Sequence, residues 1–266
     1  MNNFREKYID LFHFNEELRE IIEPVLDKHP EPKDRKQFFL LYALTKSYKT
    51  QVAILLLGEN GFGQDAGILS RSIFELAIIT LYIVKDDTEK NVERFFDYDC
   101  IARAKMYNSV SEEMRYKEEF KKRDPVGITI KEMLEEAERI EKKYRNIKSN
   151  RWSEEGFKDI AEKVGRLDAY KTVYALQCNL THPNPRNMND YLSISEGRLE
   201  VNAGPDDKWI SESLVATFDF LSCIIDAWNK EFKLGLEGKL DDLAKRYSEK
   251  IGKINKERDK NETLQY

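Results

Sequence analysis

Two long apolar segments joined by a short glycine-rich connection constrain the fold of this chain most strongly. The first runs over Gln37–Leu57 and the second over about Gln64–Val84. Both are apolar on most of their circumference, which is typical of helices that neighbours cover on every side. Gly58, Gly61 and Gly63 end the first segment, and such a short connection predicts an antiparallel hairpin. The sequence therefore places a helix hairpin at the centre of an all-α, multi-helix bundle.

Further segments with helical periodicity surround this hairpin. Asp34 is the predicted N-cap of the first central helix, and Ser153 is the predicted N-cap of a short helix ending at Val164. Alternating residues on either side of Glu196-Gly197 predict one small β-hairpin. The other predicted helices cover Phe4–Asp27, a segment starting near Asp86, Thr129–Lys148, Leu167–Leu180, Lys208–Leu234 and Leu240–Asn255.

A single helical domain over residues 1–266 accommodates all of these segments. We expect its core to comprise about 34–110 and 152–235, followed by a C-terminal helix over about 238–260. Residues 111–150 are much more charged, with only a thin apolar stripe, and we expect them to form a polar helical arm.

Composition favours a globular chain without a membrane segment. Hydrophobic residues make up 41% of the chain, and 44 Lys and Arg residues stand against 49 Asp and Glu residues, a net charge of -5. This balance argues against a protein that coats nucleic acid non-specifically. The apolar stretch Ile73–Val84 is shorter than the roughly 20 residues that span a bilayer. With no signal-peptide pattern at the N-terminus and three widely spaced cysteines, we expect a cytoplasmic protein.

Arg71 and Glu75 are the least ordinary residues of the second central helix. They are spaced i, i+4, so their side chains lie on one helix face and can touch. Charges on a central helix are costly to desolvate unless they are paired. Two interpretations remain open: a structural ion pair that fixes the helix register, or part of a site on which other polar groups converge.

His182 is the second candidate, because it follows a predicted helix end within Asn179-Leu180-Thr181-His182-Pro183. A helix C-terminus favours a protonated imidazole, which suits proton transfer, although a capping role without chemistry is equally consistent with the position. Asp97 and Asp99 flank Tyr98 on the predicted fourth helix. Because no Glu-x-x-His pair is present, we expect neither a ferritin-like metal site nor a cofactor.

Two segments together resemble a known bacterial family. Ala66–Glu75 resembles the Arg-Ser-x-x-Glu helix of the family called domain of unknown function 5677, and Tyr170–Pro183 resembles its later segment ending in His-Pro. The resemblance implies a helical fold and a catalytic trio of Arg71, Glu75 and His182. It adds Tyr174 and Asn179 as candidate substrate-binding residues, to which we join Asp99.

The arrangement is also distantly similar to the HEPN helical superfamily, which includes metal-independent ribonucleases, toxins and phage-defence components. Those proteins carry an Arg a few residues before the His, whereas Gln177 and Asn179 occupy that turn here. The resemblance implies RNA cleavage, with His182 moving a proton and Arg71 stabilising the phosphate. The alternative is a non-catalytic interaction or ligand-sensing module. RNA or a nucleotide is the expected partner, and long apolar helices are compatible with a homodimer.

Overall fold

The computed structural model describes residues 3–86, 88–111, 129–144, 151–195 and 197–263, and their fold is all-α with one small β-hairpin. A π-helical turn covers Tyr170–Tyr174, and a 3-10 turn covers Pro185–Asn187. The hairpin strands are β1 (Leu192–Ser195) and β2 (Arg198–Val201). The α-helices are α1 (Phe4–Lys7), α2 (Ile9–Asp27), α3 (Arg35–Glu59), α4 (Gly63–Val84), α5 (Lys90–Ser109), α6 (Ile130–Lys143), α7 (Phe157–Lys163), α8 (Leu167–Ala169), α9 (Ala175–Thr181), α10 (Met188–Tyr191), α11 (Ile210–Phe232) and α12 (Glu237–Thr263).

The predicted helix starts are partly confirmed. The Asp34 carboxylate accepts a hydrogen bond from the Gln37 backbone N–H at 2.8 Å, so Asp34 caps α3 as predicted. The prediction for Ser153 is wrong, because α7 begins only at Phe157. The Ser153 hydroxyl donates instead to the Glu155 carbonyl at 2.7 Å, within a bend that precedes the helix.

One compact unit comprises residues 1–84 and 161–266, and α4 lies at its centre. This helix packs against α3 and α11, and the chain turns between α3 and α4 at Gly61, whose φ of +80° is the left-handed conformation that glycine favours. The predicted central helix hairpin is therefore confirmed, and α11 is its third core partner. Fully buried side chains of this core include Phe39, Phe74 and Trp228.

The second compact unit comprises residues 85–160, where α5 packs against α6. The contact buries Ala104, Met133 and Ala137, which is the thin apolar stripe expected of a charged helix. Of the predicted polar arm, residues 112–128 and 145–150 lie outside the described residues. The division of the chain into one domain with an arm stays a prediction.

Among the described residues, α4 alone has the length and hydropathy of a membrane-spanning helix, with a mean hydropathy of 1.7 over its most apolar window. Half of that window is buried inside the protein, against α3 and α11. A core helix of a soluble protein has the same properties, and the packing of α4 is consistent with that role. The cytoplasmic location stays a prediction.

Candidate functional site

Arg71, Glu75 and Tyr174 form a closed ring of hydrogen bonds. Arg71 Nε donates to Glu75 Oε1 at 3.0 Å, and Arg71 Nη2 donates to the Tyr174 hydroxyl at 3.1 Å. The Tyr174 hydroxyl in turn donates to Glu75 Oε1 at 3.1 Å. The ring joins α4 to the π-helical turn, which ends at Tyr174, and π-helical turns occur frequently at functional sites.

The surroundings of the ring keep its tyrosine protonated. Burial and the charge of Glu75 raise the pKa of Tyr174 to about 12. Burial lowers the pKa of Arg71, but the Tyr174 hydrogen bond and the Glu75 charge outweigh this effect and raise the pKa above its usual value. The Arg71 side chain is 18% exposed and the Glu75 side chain 38%, so this ion pair is partly open to solvent.

The register between α4 and α9 separates His182 from this ring. Arg71 contacts Tyr174, Ser70 contacts Gln177, and Gly67 lies against Leu180, so residue numbers fall on α4 as they rise on α9. His182 follows the end of α9, and continuing this antiparallel register by two residues would place it opposite residues near 65. That position is six residues along α4 from Arg71 and ten from Glu75, or about 9 and 15 Å at 1.5 Å per residue.

His182 itself is an exposed residue at the C-cap of α9. Its backbone N–H donates to the Cys178 carbonyl at 3.2 Å. Among the described residues, no hydrogen bond or ion pair joins the His182 ring to Arg71 or Glu75. The structure therefore brings together Arg71, Glu75 and Tyr174, and it does not bring His182 to them.

The two remaining sequence candidates make local contacts. Asn179 Oδ1 accepts a hydrogen bond from Asn184 Nδ2 at 3.0 Å, and Asn187 Nδ2 donates to the Asn179 carbonyl. Asn179 thus fixes the loop after α9. Asp99 pairs with Arg103 one turn away on α5, at 3.0 Å, and its side chain is 61% exposed. These contacts are those of a loop-organising amide and a surface ion pair, respectively.

A cavity of about 170 Å³ lies beside the ring, where α9 and α11 meet α4. Its wall is largely apolar and includes the small residues Gly67 and Ala216. The lining residues are Gly67, Ser70, Val173, Leu176, Gln177, Trp209, Glu212, Ser213, Val215, Ala216 and Asp219.

Among the described residues that line the cavity, Gln177 alone has a buried polar side-chain atom without a hydrogen-bond partner. The residue is 5% exposed, and its Nε2 donates to Ser70 Oγ at 2.7 Å. Gln177 Oε1 is buried and accepts no hydrogen bond from any part of the chain that the structure describes. Because a buried polar atom without a partner costs on the order of 1–3 kcal/mol, Gln177 is the polar side chain of this wall that would gain most from a further hydrogen bond.

Two carboxylates, those of Glu212 and Asp219, contribute to the lining, and no lysine, arginine or histidine is present among the described lining residues. Burial raises the pKa of Asp219 to about 6, although a hydrogen bond from Tyr247 and the charge of Arg166 both act to lower it. The cavity therefore disfavours anions and favours neutral or cationic groups that donate hydrogen bonds.

Trp209 closes one side of the cavity in a strained conformation. It is the N-cap of α11 with φ of 66°, a left-handed conformation that is uncommon for a bulky residue. Its indole Nε1 donates to Asp190 Oδ2 at 3.0 Å, which holds the ring in place. Backbone strain of this kind concentrates at binding sites, where the surrounding structure holds it.

Sequence reasoning missed the cavity residues, most of all Gln177, Ser70 and Ser213. All three are buried polar residues on otherwise apolar helix faces, and this is the signal that could have singled them out. Their convergence depends on the register between helices distant in sequence, which no local pattern specifies. Among the described residues, no group of three or more metal-ligating side chains occurs.

Comparison with known proteins identifies a family over part of the first compact unit and the whole of the second. A family model described as "Family of unknown function (DUF5677)" matches residues 37–199, more than half of the 266 residues. No curated protein and no solved structure matches the chain. The matched range includes α4, the π-helical turn and α9, which carry the hydrogen-bonded ring and one wall of the cavity. The chain therefore belongs to the DUF5677 family.

Proposed function

We propose that this protein is a ligand-sensing module that binds a small, largely apolar molecule carrying a hydrogen-bond donor. The observation that carries the proposal is Gln177, which lines an apolar cavity and whose buried Oε1 accepts no hydrogen bond from the described residues. The proposal requires this oxygen to turn into the cavity when the ligand binds. Concave apolar sites with few polar groups are the usual form of small-molecule sites, in which the polar groups fix orientation.

The size of the cavity limits the ligand to about one ring. A dry cavity of about 150 Å³ accommodates benzene in an engineered protein, and the cavity here is about 170 Å³. The carboxylates of Glu212 and Asp219 select against anionic ligands, including phosphates and carboxylates. The expected ligand class is therefore a neutral or cationic single-ring compound, with a hydroxyl or amino group that donates to Gln177 Oε1.

Binding has more support than catalysis at this site. The hydroxyl of Ser70 donates to the Gly67 carbonyl at 2.9 Å, and the hydroxyl of Ser213 donates to the Gly63 carbonyl at 3.0 Å. Neither serine is paired with a general base, so neither is an activated nucleophile.

The test measures the affinity of four ring-sized probes by calorimetry. Phenol carries one O–H donor and aniline two N–H donors on one amino group, toluene carries none, and benzoate carries a negative charge. We expect phenol and aniline to bind about fivefold more tightly than toluene, the value of one net hydrogen bond, and benzoate not to bind. In Gln177→Met, which removes the acceptor, phenol and toluene should bind with equal affinity.

Ala216→Leu, which fills the cavity, should abolish binding of all four probes. Ala102→Leu adds the same three carbons at an exposed position of α5 and should leave binding unchanged. The proposal fails if phenol does not bind at 10 mM (on the order of the weakest ring-sized ligands), or if it binds Ala216→Leu as it binds the wild type.

Metal-independent RNA cleavage, which the HEPN resemblance implies, has less support from the geometry. The three residues invoked for it are Arg71, Glu75 and His182, and the register between α4 and α9 separates His182 from the other two. Arg71 is also paired with Glu75, which neutralises the charge that a phosphate would need. A purified wild type that cleaves RNA, and loses this activity in His182→Ala, would reverse this ranking. The roles in phage defence and as a toxin stay predictions.

A further inference from the structure

The β-hairpin separates an apolar face from a polar face. Its register pairs Leu192 with Val201 and Ile194 with Leu199 on one face, and the serines of β1 with Arg198 and Glu200 on the other. The apolar face is open to solvent: Ile194 is 79% exposed, Leu199 66% and Val201 68%. An exposed strand with this pattern is a template for pairing with another strand.

The outer edge of β2 has a defined set of free backbone groups. The Asn202 N–H donates to the Tyr191 carbonyl, so residues 191 and 202 form a hydrogen-bonded pair of the hairpin. Hydrogen-bonded and non-hydrogen-bonded pairs alternate along an antiparallel ladder. The backbone groups of Leu199 and Val201 therefore point away from β1, and they form no other backbone hydrogen bond with the described residues.

We infer that β2 pairs with β2 of a second copy of this chain, about a two-fold axis at Leu199. In this register Leu199 faces its own counterpart through two backbone hydrogen bonds, and Gly197 faces Val201 of the second copy. Arg198 of each copy then faces Glu200 of the other in a non-hydrogen-bonded pair, where side chains approach most closely. The contact is isologous and closes after two copies.

Charge selects this register over its neighbours. If the two-fold axis were at Glu200, the Glu200 carboxylates of the two copies would lie opposite each other. If the axis were at Arg198, the two Arg198 guanidinium groups would lie opposite each other. Like charges directly opposite each other destabilise a strand pair, whereas opposite charges stabilise it. The polar face of β1 carries only serines, so no charged side chains would favour one pairing register of β1 over another. The proposal does not depend on the ligand cavity.

A charge-swap experiment tests this pairing by analytical ultracentrifugation in low salt, where screening is weak. We expect the wild type to sediment at twice the monomer mass of 31.3 kDa. Arg198→Glu and Glu200→Arg should each be monomeric, because each change creates two like-charge contacts. The double variant should be a dimer again, and an equimolar mixture of the two single variants should form a heterodimer.

Lys245→Glu and Glu249→Arg make the same charge changes at exposed positions of α12 and should leave the dimer intact. A monomeric wild type at 100 μM, on the order of the weakest self-association this method resolves, would overturn the proposal. It would equally be overturned by a dimer that survives both single charge changes but dissociates in Ile194→Asp, because that result indicates packing through the apolar face instead of the β2 edge.

Discussion

At the residue scale, the ion pair of Arg71 and Glu75 could be predicted from sequence spacing, whereas the contact of both residues with Tyr174 could not. Arg71 and Glu75 are one turn apart, so the helical period alone brings them together. Tyr174 completes the ring from 99 residues beyond Glu75, and its place depends on the π-helical turn before α9. Sequence reasoning proposed Tyr174 only through a family resemblance. The same resemblance grouped His182 with Arg71 and Glu75, although in the structure no hydrogen bond or ion pair among the described residues joins His182 to them.

The ring should contribute a measurable coupling to stability. Glu75→Gln and Tyr174→Phe should each lower the free energy of unfolding by roughly 1 kcal/mol or less, because each removes a partly exposed hydrogen bond. The double variant should lose less than the sum of the two, since both changes break the same contact. Urea unfolding measures all three values, and Glu249→Gln on exposed α12 is the control. Strict additivity would contradict the closed ring.

Asp219 should make stability depend on pH in a defined window. Its folded pKa of about 6 lies above the usual aspartate pKa of 3.8, so the folded state holds the proton more tightly than the unfolded state. Wild-type stability is therefore lost from this group as pH rises from about 4 to 6. The stability of Asp219→Asn relative to the wild type should therefore increase as pH rises across that window. Outside the window, the difference in stability between the two proteins should be constant. Thermal unfolding from pH 4 to 8 tests this, and a flat difference would contradict it.

At the element scale, the close approach of α4 to the start of α11 shapes both the core and the cavity. A Cβ at Gly63 would lie 2.6 Å from the Ile210 backbone nitrogen and 2.8 Å from the Trp209 carbonyl carbon. Backbone atoms cannot move away as a flexible side chain can. Glycine is therefore required here by the tertiary contact.

Gly63→Ala should lower the free energy of unfolding by more than about 2 kcal/mol, the cost of overpacking against backbone. Gly252→Ala within α12, where nothing lies within 4 Å, should instead stabilise the chain by roughly 0.5–1 kcal/mol through helix propensity. Urea denaturation measures whether each variant has a lower or a higher free energy of unfolding than the wild type. A neutral Gly63→Ala would show that α4 and α11 approach less closely than the structure indicates.

Helix positions were predictable because their signals are local: the apolar periodicity of α3 and α4, the Asp34 cap and the glycines between them. The alternation in β1 and β2 was equally local and predicted the hairpin correctly. The start of α7 was predicted wrongly, because Ser153 resembles an N-cap in sequence but bonds to a bend. The cavity could not be predicted, because it arises where three helices from distant parts of the chain fail to fill the space between them.

At the scale of the whole molecule, the proposed ligand binding and the proposed self-association involve different surfaces. The cavity lies among α4, α9 and α11, whereas the pairing edge is β2. Arg198→Glu should therefore be monomeric and still bind phenol within about twofold of the wild-type affinity. Ala216→Leu should show the converse, a dimer that does not bind phenol. Sedimentation and calorimetry on the two variants test this, and loss of both properties in either variant would contradict the separation.

The most direct test of the account is an NMR titration of the protein with phenol. We expect saturable shifts of the Gln177 side-chain amide, the Trp209 indole N–H and the methyl groups of Val173 and Val215, all of which line the cavity. These shifts should be absent in Ala216→Leu and present in Ala102→Leu. Shifts confined to residues outside the cavity, or no saturable shift at all, would contradict the claim that this cavity is a ligand site.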